Sequence, residues 1–444
     1  MTPVVLATDA LLWLLVAAVA AYAAYCSRRP HLAAPWKRVF QSKAAVVSGV
    51  ILAFYVLVGL ADSLHYRGAG SVEVQSLLDR ALSVLRQTSE KTYSAPLATR
   101  LYSREQVEIP DGRQVRDYPR LRHGGAHLED EGERTRDILL RGAAGLAAAA
   151  ILWAALYFVS RPLARRYPHI PFTAGWVALA AMLAIAAPMA SLAPHYHVLG
   201  TNQVGQDVLY QSLKSIRTSL AIGTLTTLVL LPLGVALGIM AGYFKGWIDD
   251  AIQYLYTTLN SIPGVLLIAA AVLMMQVVID RHADWFPTAA QRADFRLLVL
   301  CAILGLTSWT GLARLLRGEA LKLSELEYIQ AAHAFGVSDA RILGRHILPN
   351  VAHIVIIAMV MDFSGLVLAE AVLSYVGVGV DPATTSFGTM INAARLEMGR
   401  EPIVWWSLAA AFAFMFVLVL AANLLADAVR DGFDPRVRMG LAAI

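Results

Sequence analysis

Residues 324–350 read SELEYIQAAHAFGVSDARILGRHILPN, a polar island between two apolar segments too long for a soluble core. The punctuation predicts two short helices with a break between them. Ser324 is placed to cap the first, and Glu327, three residues on, to reach back to the capping residue's own N–H in a capping box. Gly336 supplies a left-handed stop. Ser338 is placed to cap the second helix, Asp339 suits its positive end, and Pro349 is expected to interrupt the helix that follows. The expectation is a folded, helical loop at a membrane surface. At its centre, the small side chains around Gln330, Ala331 and Ala332 would let another protein approach the backbone closely, with Tyr328 and Phe335 as aromatic anchors. Alanine is also simply a good helix former, so the same spacing suits a loop packed on its own chain.

The segment YIQAAHAFGVSDARILGRHILPN, residues 328–350, resembles the EAA loop of ABC importer permeases. The form is that of the C-type subunit of the oligopeptide/dipeptide permease family, a binding-protein-dependent transport inner-membrane component. In that family the loop is the coupling element that seats in a groove of the cytoplasmic ATPase. The resemblance implies that Ala331, Ala332, Gly336, Leu348 and Pro349 occupy the motif's positions. Glu327, Gln330 and Phe335 complete the expected ATPase-coupling set. Two departures are visible: Gln330 stands where the motif has Glu, and His346 where the general motif has Ile. Glu327, one turn earlier on the same helix face, is the carboxylate available in place of the missing one. The resemblance extends to Trp36–Leu60, to HVLGTNQVGQDVLYQSLKSIRTSL from His197, and to the phrases AGYFKGWIDD (241–250), SIPG (261–264) and AEAVLSYVGVG (369–379). Gly200, Thr201, Gly205 and Asp207 fall at matching positions.

Composition agrees with a polytopic membrane protein. Apolar residues make up 57% of the 444, charged residues only 16%, and many apolar runs are long enough to cross a bilayer. The formal charge of +5 fits short basic loops beside the spans and not a nucleic-acid stripe. Cys26 and Cys301 both fall near or inside apolar runs, so neither a disulfide framework nor a metal site is read from them.

In chain order, Leu11–Tyr25 is a first, retained span with no basic residue before it. Arg28, Arg29, Lys37, Arg38 and Lys43 then form a short basic loop, placed in the cytoplasm by the positive-inside rule with the N-terminus outside. Ala44–Leu60 crosses back. From about Asp62 to Asp137 hydropathy falls and charges of both signs alternate, as on a water-exposed extracytoplasmic insert of mixed α and β structure. An amphipathic helix is predicted through Val74, Leu77, Leu78, Ala81, Leu82 and Leu85, a hairpin over Gln106–Arg116 around Pro110-Asp111-Gly112, and a mobile linker over His123–Glu133. His123 and His127 have metal-ligand spacing, but Gly124 and Gly125 spoil the helix that would align them. Two additional spans, Ala143–Val159 and Trp176–Ala193, flank Arg161, Arg165 and Arg166.

Five core spans follow: Ser219–Ala241, Ile252–Val278 kinked at Pro263 and Gly264, Leu297–Leu315, Val351–Val376 and Val404–Ala426. The domains expected are residues 1–61 (two helices), 62–139 (insert), 140–196 (two helices) and 197–444, the last being the permease core with its coupling loop at 318–349. The fold class is an all-α polytopic membrane protein of about nine spans around an ABC type I importer permease core. With nine spans, Lys245, the loop Arg317–Arg345 and the tail with Arg430, Arg436 and Arg438 all face the cytoplasm, so every short basic loop lands on one side.

Asp362 and Glu370 sit eight residues apart in the fourth core span, close to one helix face. A carboxylate near the bilayer centre costs about 2.5–3.5 kcal/mol on insertion scales, so such groups normally face a bundle interior or a water-filled path. Asp362 is the candidate path residue, either near a peptide's ammonium group or in a structural hydrogen bond to Ser364 or a neighbouring helix. Glu370 is expected nearer the membrane edge. The chain has no Walker A sequence and no Ser/His/Asp or paired-carboxylate set, so it is read as non-catalytic, with no cofactor or metal of its own and ATP and Mg held by partner subunits. The resemblance implies those partners: a related B-type permease, two cytoplasmic ATPases and an external solute-binding protein, all at the bacterial inner membrane. The function implied is the translocation path for di- or oligopeptides. A membrane-anchored sensor or channel built on the insert is the alternative from another class.

Overall fold

The structure, a computed structural model, describes residues 2–68, 74–108, 114–286, 288–381 and 383–433. The chain opens with β1 (Thr2–Val4) and α1 (Ala7–Ser27), then α2 (Pro30–Val39) and α3 (Lys43–Asp62). A small mixed segment follows: β2 (His65–Arg67), β3 (Val74–Ser76), α4 (Leu77–Ala81), α5 (Ser83–Gln87), β4 (Glu105–Glu108) and β5 (Gln114–Asp117). The next helices are α6 (Arg134–Arg166), α7 (Phe172–Leu192), α8 (Val208–Phe244), α9 (Gly246–Ser261), α10 (Gly264–Arg281) and α11 (Ala289–Ser308). They are followed by α12 (Thr310–Ser324), α13 (Glu327–Ala334), α14 (Asp339–Ile342), α15 (Leu348–Val376), α16 (Phe387–Arg395) and α17 (Trp406–Phe433). Among the described residues nine helical stretches are long and apolar enough to span a bilayer, the number expected from hydropathy. The molecule is an all-α polytopic membrane protein carrying two small sheets.

Several local expectations are corrected. The predicted span Ile252–Val278 is two helices, α9 and α10, broken at Ile262–Pro263 because Pro263 can donate no hydrogen bond and Ile262 is extended. The predicted helix over Val74–Leu85 begins as a strand. Ser76 pairs with His65 across the sheet, and its side chain joins Asp79 in a capping box that starts α4 only at Leu77. The hairpin is present, with Glu105 opposite Asp117 and Val107 opposite Val115. Its turn at Pro110-Asp111-Gly112, like Arg436 and Arg438 of the tail, lies outside the described residues.

By its contacts the chain divides into two compact units. One contains residues 40–219 and 384–421 with the first strand. In it α6 and α7 form a tight antiparallel pair against α3. Gly145 makes the pair possible: a Cβ there would lie 2.7 Å from Pro188 Cα and 2.8 Å from Ala187 O. The three strands β1, β2 and β3 are antiparallel, with Thr2 opposite Arg67 and His65 opposite Ser76.

The expected mobile linker at His123–Glu133 is instead pinned at its start. The fully buried Glu90 carboxylate accepts from the backbone N–H of Arg122 (2.9 Å), His123 (2.8 Å) and Gly124 (3.2 Å). The buried His197 lies between this carboxylate (Nε2 to Oε1 3.4 Å) and Asp207 (Nδ1 to Oδ2 2.8 Å), whose other oxygen caps the start of α8. Gly205 turns at φ +75° against Glu90, leaving no room for a Cβ. His197 is thus a structural ion-pair centre. His127 is bonded to Asp137 at 2.8 Å, and among the described residues no group of three or more His, Cys, Asp or Glu side chains is arranged for a metal.

Burial by itself works against the His197 imidazolium, but hydrogen bonds and charge from Asp207 and Glu90 outweigh it and hold the pKa up at about 9. Burial likewise opposes the Glu90 carboxylate, yet His197 and the three backbone donors bring it down to about 2. The raised pKa of His197 contributes stability that is complete below the unfolded value of about 6.5 and is lost as pH rises through 9. The depressed pKa of Glu90 contributes stability that is present above about 4.3 and is lost as pH falls through 2. Hydrogen exchange at Arg122–Gly124, corrected for intrinsic rate, should therefore be slowest between about pH 4.3 and 6.5 and roughly tenfold faster or more above pH 9. Flat protection across that range would remove the ion-paired description of His197.

The second unit contains residues 6–39, 220–383 and 422 onward. Here α1 packs on α11: the buried Thr8 donates its backbone N–H and its hydroxyl to Asp294, the former at 3.1 Å. Leu12 joins Ile222, Leu225, Leu297, Leu300, Leu304 and Leu373 in one buried apolar cluster. Trp36 of α2 meets Phe433 of α17 edge to face at 5.2 Å.

Candidate functional site

The loop between α12 and α15 is rooted in a buried apolar cluster. Leu312, Ala313, Leu316 and Ala320 of α12 meet Ile329, Ile342, Ile347 and Val351, together with Leu230, Ile239 and Ala241 of α8 and Tyr256 of α9. Gly234, Gly238 and Gly242 let α12 reach the α8 backbone. A Cβ at Gly238 would lie 2.6 Å from Ala313 O, and one at Gly242 2.5 Å from Arg317 O. The four-residue spacing in GVALGIMAG, residues 234–242, is the small-xxx-small pattern of close helix crossings, a signal the hydropathy reading passed over.

Polar contacts brace the same loop from the AGYFKGWIDD turn. Arg317 donates from Nε and Nη2 to the two Asp249 oxygens at 2.6 Å each, and this fork holds the Asp249 carboxyl below the usual carboxylate range against its burial. Lys245 pairs with Glu325, and Tyr243 donates to Asp339 at 2.7 Å. None of these links is visible in the sequence, because their partners stand 68 to 96 residues apart.

The predicted capping box at Ser324 is not formed. The apolar face of α12 carries the helix on through Ser324, whose hydroxyl returns to Leu321 O at 2.8 Å, and the N-cap of α13 is Leu326. Gly336 does stop α13, at φ +76°. Val337 N–H reaches Ala332 O at 3.1 Å and Gly336 N–H reaches His333 O at 3.0 Å, the two bonds of a Schellman motif. Ser338 holds the N-cap position of α14 without a side-chain bond. The expected interruption at Pro349 is also absent: α14 passes through a π-turn at Leu343–Ile347 into α15, one helical stretch from Asp339 to Val376. A π-turn widens the backbone just before the proline ring, and Pro349 lies in the first turn of α15, where its missing N–H is least needed.

The expected coupling residues divide by face. Ile329 is buried and Ala332, three residues on, packs on the same cluster, so Ala332 faces the chain itself. Glu327, Gln330, Ala331 and Gly336 are exposed, as are Leu348 and Pro349, and Phe335 is 87% exposed. Gln330 Nε2 donates back to Glu325 O at 3.2 Å. Asn350 Nδ2 donates to Tyr328 OH at 3.1 Å and ties α13 to the start of α15.

The two carboxylates of α15 have different surroundings. Glu370 is fully buried within the protein and accepts from Ser374 Oγ at 2.6 Å. Gly379 packs over that serine. Asp362 is half-buried, and among the described residues no hydrogen bond or ion pair reaches it. Ser364, its expected structural partner, instead donates to Asn423 at 2.6 Å and to Met361 O at 3.1 Å.

Comparison with known proteins supplies the family. A family model described as "Binding-protein-dependent transport system inner membrane component" matches residues 234–439. The glutathione transport system permease protein GsiD of Pectobacterium atrosepticum is 34% identical over 244 residues, 54% of this chain and 73% of that protein. The oligopeptide transport system permease protein OppC of Mycobacterium tuberculosis is 32% identical over 242 residues, 54% and 77% respectively. The dipeptide transport system permease protein DppC of Lactococcus lactis subsp. cremoris is 29% identical over 240 residues, 54% and 64%. These families supply non-catalytic membrane subunits that work with ATPase and binding-protein components. The braced loop, the nine candidate spans and these matches together make the chain a member of the binding-protein-dependent transport inner-membrane family, a permease subunit of an ABC importer of the oligopeptide/dipeptide type.

Proposed function

We propose that this subunit forms half of a translocation path for di- or oligopeptides across the bacterial inner membrane, beside a B-type permease, two cytoplasmic ATPases and an external solute-binding protein. ATP and Mg are bound by the ATPases, and this chain performs no catalysis of its own. Its N-terminus faces outward and its C-terminus the cytoplasm, a reading supported by the distribution of basic loops. The observation that carries the reading is the outer face of α13: Gln330, Ala331 and Phe335 are presented to solvent on a helix anchored from beneath by Ile329. Movement of a docked ATPase would pass through Ile329, Ile342, Ile347 and Val351, and through Tyr328 and Asn350, to α15, which carries Asp362. Alternating access follows if α15 tilts with its root. A sensor or channel would leave this face without a task.

The test is purification of the full chain in mild detergent from its native membrane, with co-purifying proteins identified by mass spectrometry. Wild type should recover nucleotide-binding subunits, and Ala331→Asp should recover about tenfold less or lower, because a charge is forced into a docked face. Equal recovery would reduce the loop to a structural turn. Asp362→Asn should lower uptake of peptides with a free amino terminus by about tenfold or more while assembly is unchanged, through loss of one charge-assisted contact. Unchanged uptake would remove Asp362 from the path.

A further inference from the structure

The helices α6 and α7 lie outside the residues matched by the family, and one end of their bundle with α3 is basic and uncompensated. Gly175 of α7 sits against Val46 and Val50 of α3, and Trp153 of α6 donates to Trp176 O of α7 at 3.0 Å. These contacts align the last turns of α6 with the first turns of α7 and α3. Arg161, Arg165 and Arg166 of α6 and Lys43 of α3 therefore gather at one end, all of them exposed.

No acid neighbours them along the chain. The sequence contains no Asp or Glu between Asp9 and Asp62, and none between Asp137 and Asp207. Among the described residues none of these four cations forms an ion pair with a carboxylate. Their support is aromatic: Arg161 lies over the rings of Tyr157 and Phe158, 5.6 Å from each centroid, and Arg166 lies over Tyr167 at 6.0 Å. Below the arginines the outer surface of α6 is apolar and open, with Ile151, Leu152, Phe158 and Val159 exposed. A guanidinium cluster above an open apolar face matches a molecule with an anionic head and hydrocarbon tails.

We propose that the α3, α6 and α7 bundle end is a binding site for an anionic phospholipid, its phosphate held by Arg161, Arg165 and Arg166 and its acyl chains lying along α6. By the charge rule the leaflet is the cytoplasmic one. The site acts by complementing charge that this chain leaves unpaired, and it anchors the added helices to lipid.

The full chain, reconstituted in nanodiscs of equal parts phosphatidylglycerol and phosphatidylcholine, is released into mild detergent and its retained lipids are weighed by native mass spectrometry. Wild type should retain phosphatidylglycerol over phosphatidylcholine by about tenfold or more. The triple variant Arg161→Gln, Arg165→Gln, Arg166→Gln should fall to about twofold or less. A triple lysine variant preserves the charge and should keep the preference, which covers the case in which the glutamine variant fails to assemble. Glycerol phosphate, which lacks acyl chains, should not displace the bound lipid. No lipid preference in wild type, a preference that survives the glutamine variant or is lost in the lysine variant, or stripping by glycerol phosphate would each overturn the proposal. So would a glutamine variant that loses ATPase recovery with its lipids unchanged, since the arginines would then face a protein.

Discussion

Phe335→Ala is expected to lower ATP-driven uptake sharply while leaving the chain as stable as before. The side chain is 87% exposed at the C-cap of α13, immediately before the Gly336 stop, so its removal deletes almost no intramolecular packing. Surface truncations of this kind stay within about 0.5 kcal/mol of wild-type stability. An aromatic held in water on a rigid helix is, however, what a protein interface uses as an anchor, and truncating such a residue costs about 2 kcal/mol or more, roughly thirtyfold in affinity. The checks are ATPase recovery, uptake in vesicles and thermal unfolding on one preparation. Wild-type recovery and uptake would show that the ATPase does not seat on this face. Loss of both together with a lowered unfolding temperature would point to Phe335 as a packing residue. Ala332→Asp, by contrast, is a poor probe of docking. It would place a carboxylate against the cluster of Ile329, Ile342 and Leu316 and disturb the root.

Glu90→Leu should be the most destabilising single change in the α+β insert. The substitution leaves three backbone N–H groups, at Arg122, His123 and Gly124, without their acceptor, and leaves His197 with only Asp207. Removing one partner from a buried charge network costs about 3–5 kcal/mol, because the remaining charge stays buried. The effect should be local: exchange protection at Arg122–Gly124 collapses while α10 and α11 are unaffected. Glu90→Gln retains an acceptor oxygen for those amides and should cost clearly less. Equal protection in wild type and Glu90→Leu would show that the segment is held by other contacts.

The segment between α3 and α6 and the loop between α12 and α15 share one principle of construction. In each, a short polar segment is fixed by a buried apolar or charged centre contributed from far away in the chain. His197 and Asp207 hold the 122–124 turn, and Leu316 with Ile347 holds α13. A segment that reads as a loop in sequence is thereby given a defined outer face. That is the requirement for transmitting a displacement without local unfolding.

The amino-acid sequence by itself determined what depends on local chemistry. Hydropathy located the nine candidate spans, glycine at 336 stopped α13 because only a residue free to adopt positive φ can do so cheaply, and alternation marked the hairpin of β4 and β5. Tertiary structure alone decided which side chains turn outward. Ala331 and Ala332 are identical in composition and adjacent in sequence, yet one is exposed and the other packs against the buried cluster, since only the arriving helices define an inside. The same holds for Glu370, buried beside Ser374, and Asp362, half-buried about two helical turns before it, and for the arginine fork of Arg317 on Asp249. Periodicity is weak in helices that are apolar all round, so a membrane span's sequence shows its length and not its facing. The charge partners Arg317 and Asp249, in turn, are brought together beside the crossing of α12 on α8 that Gly238 and Gly242 permit.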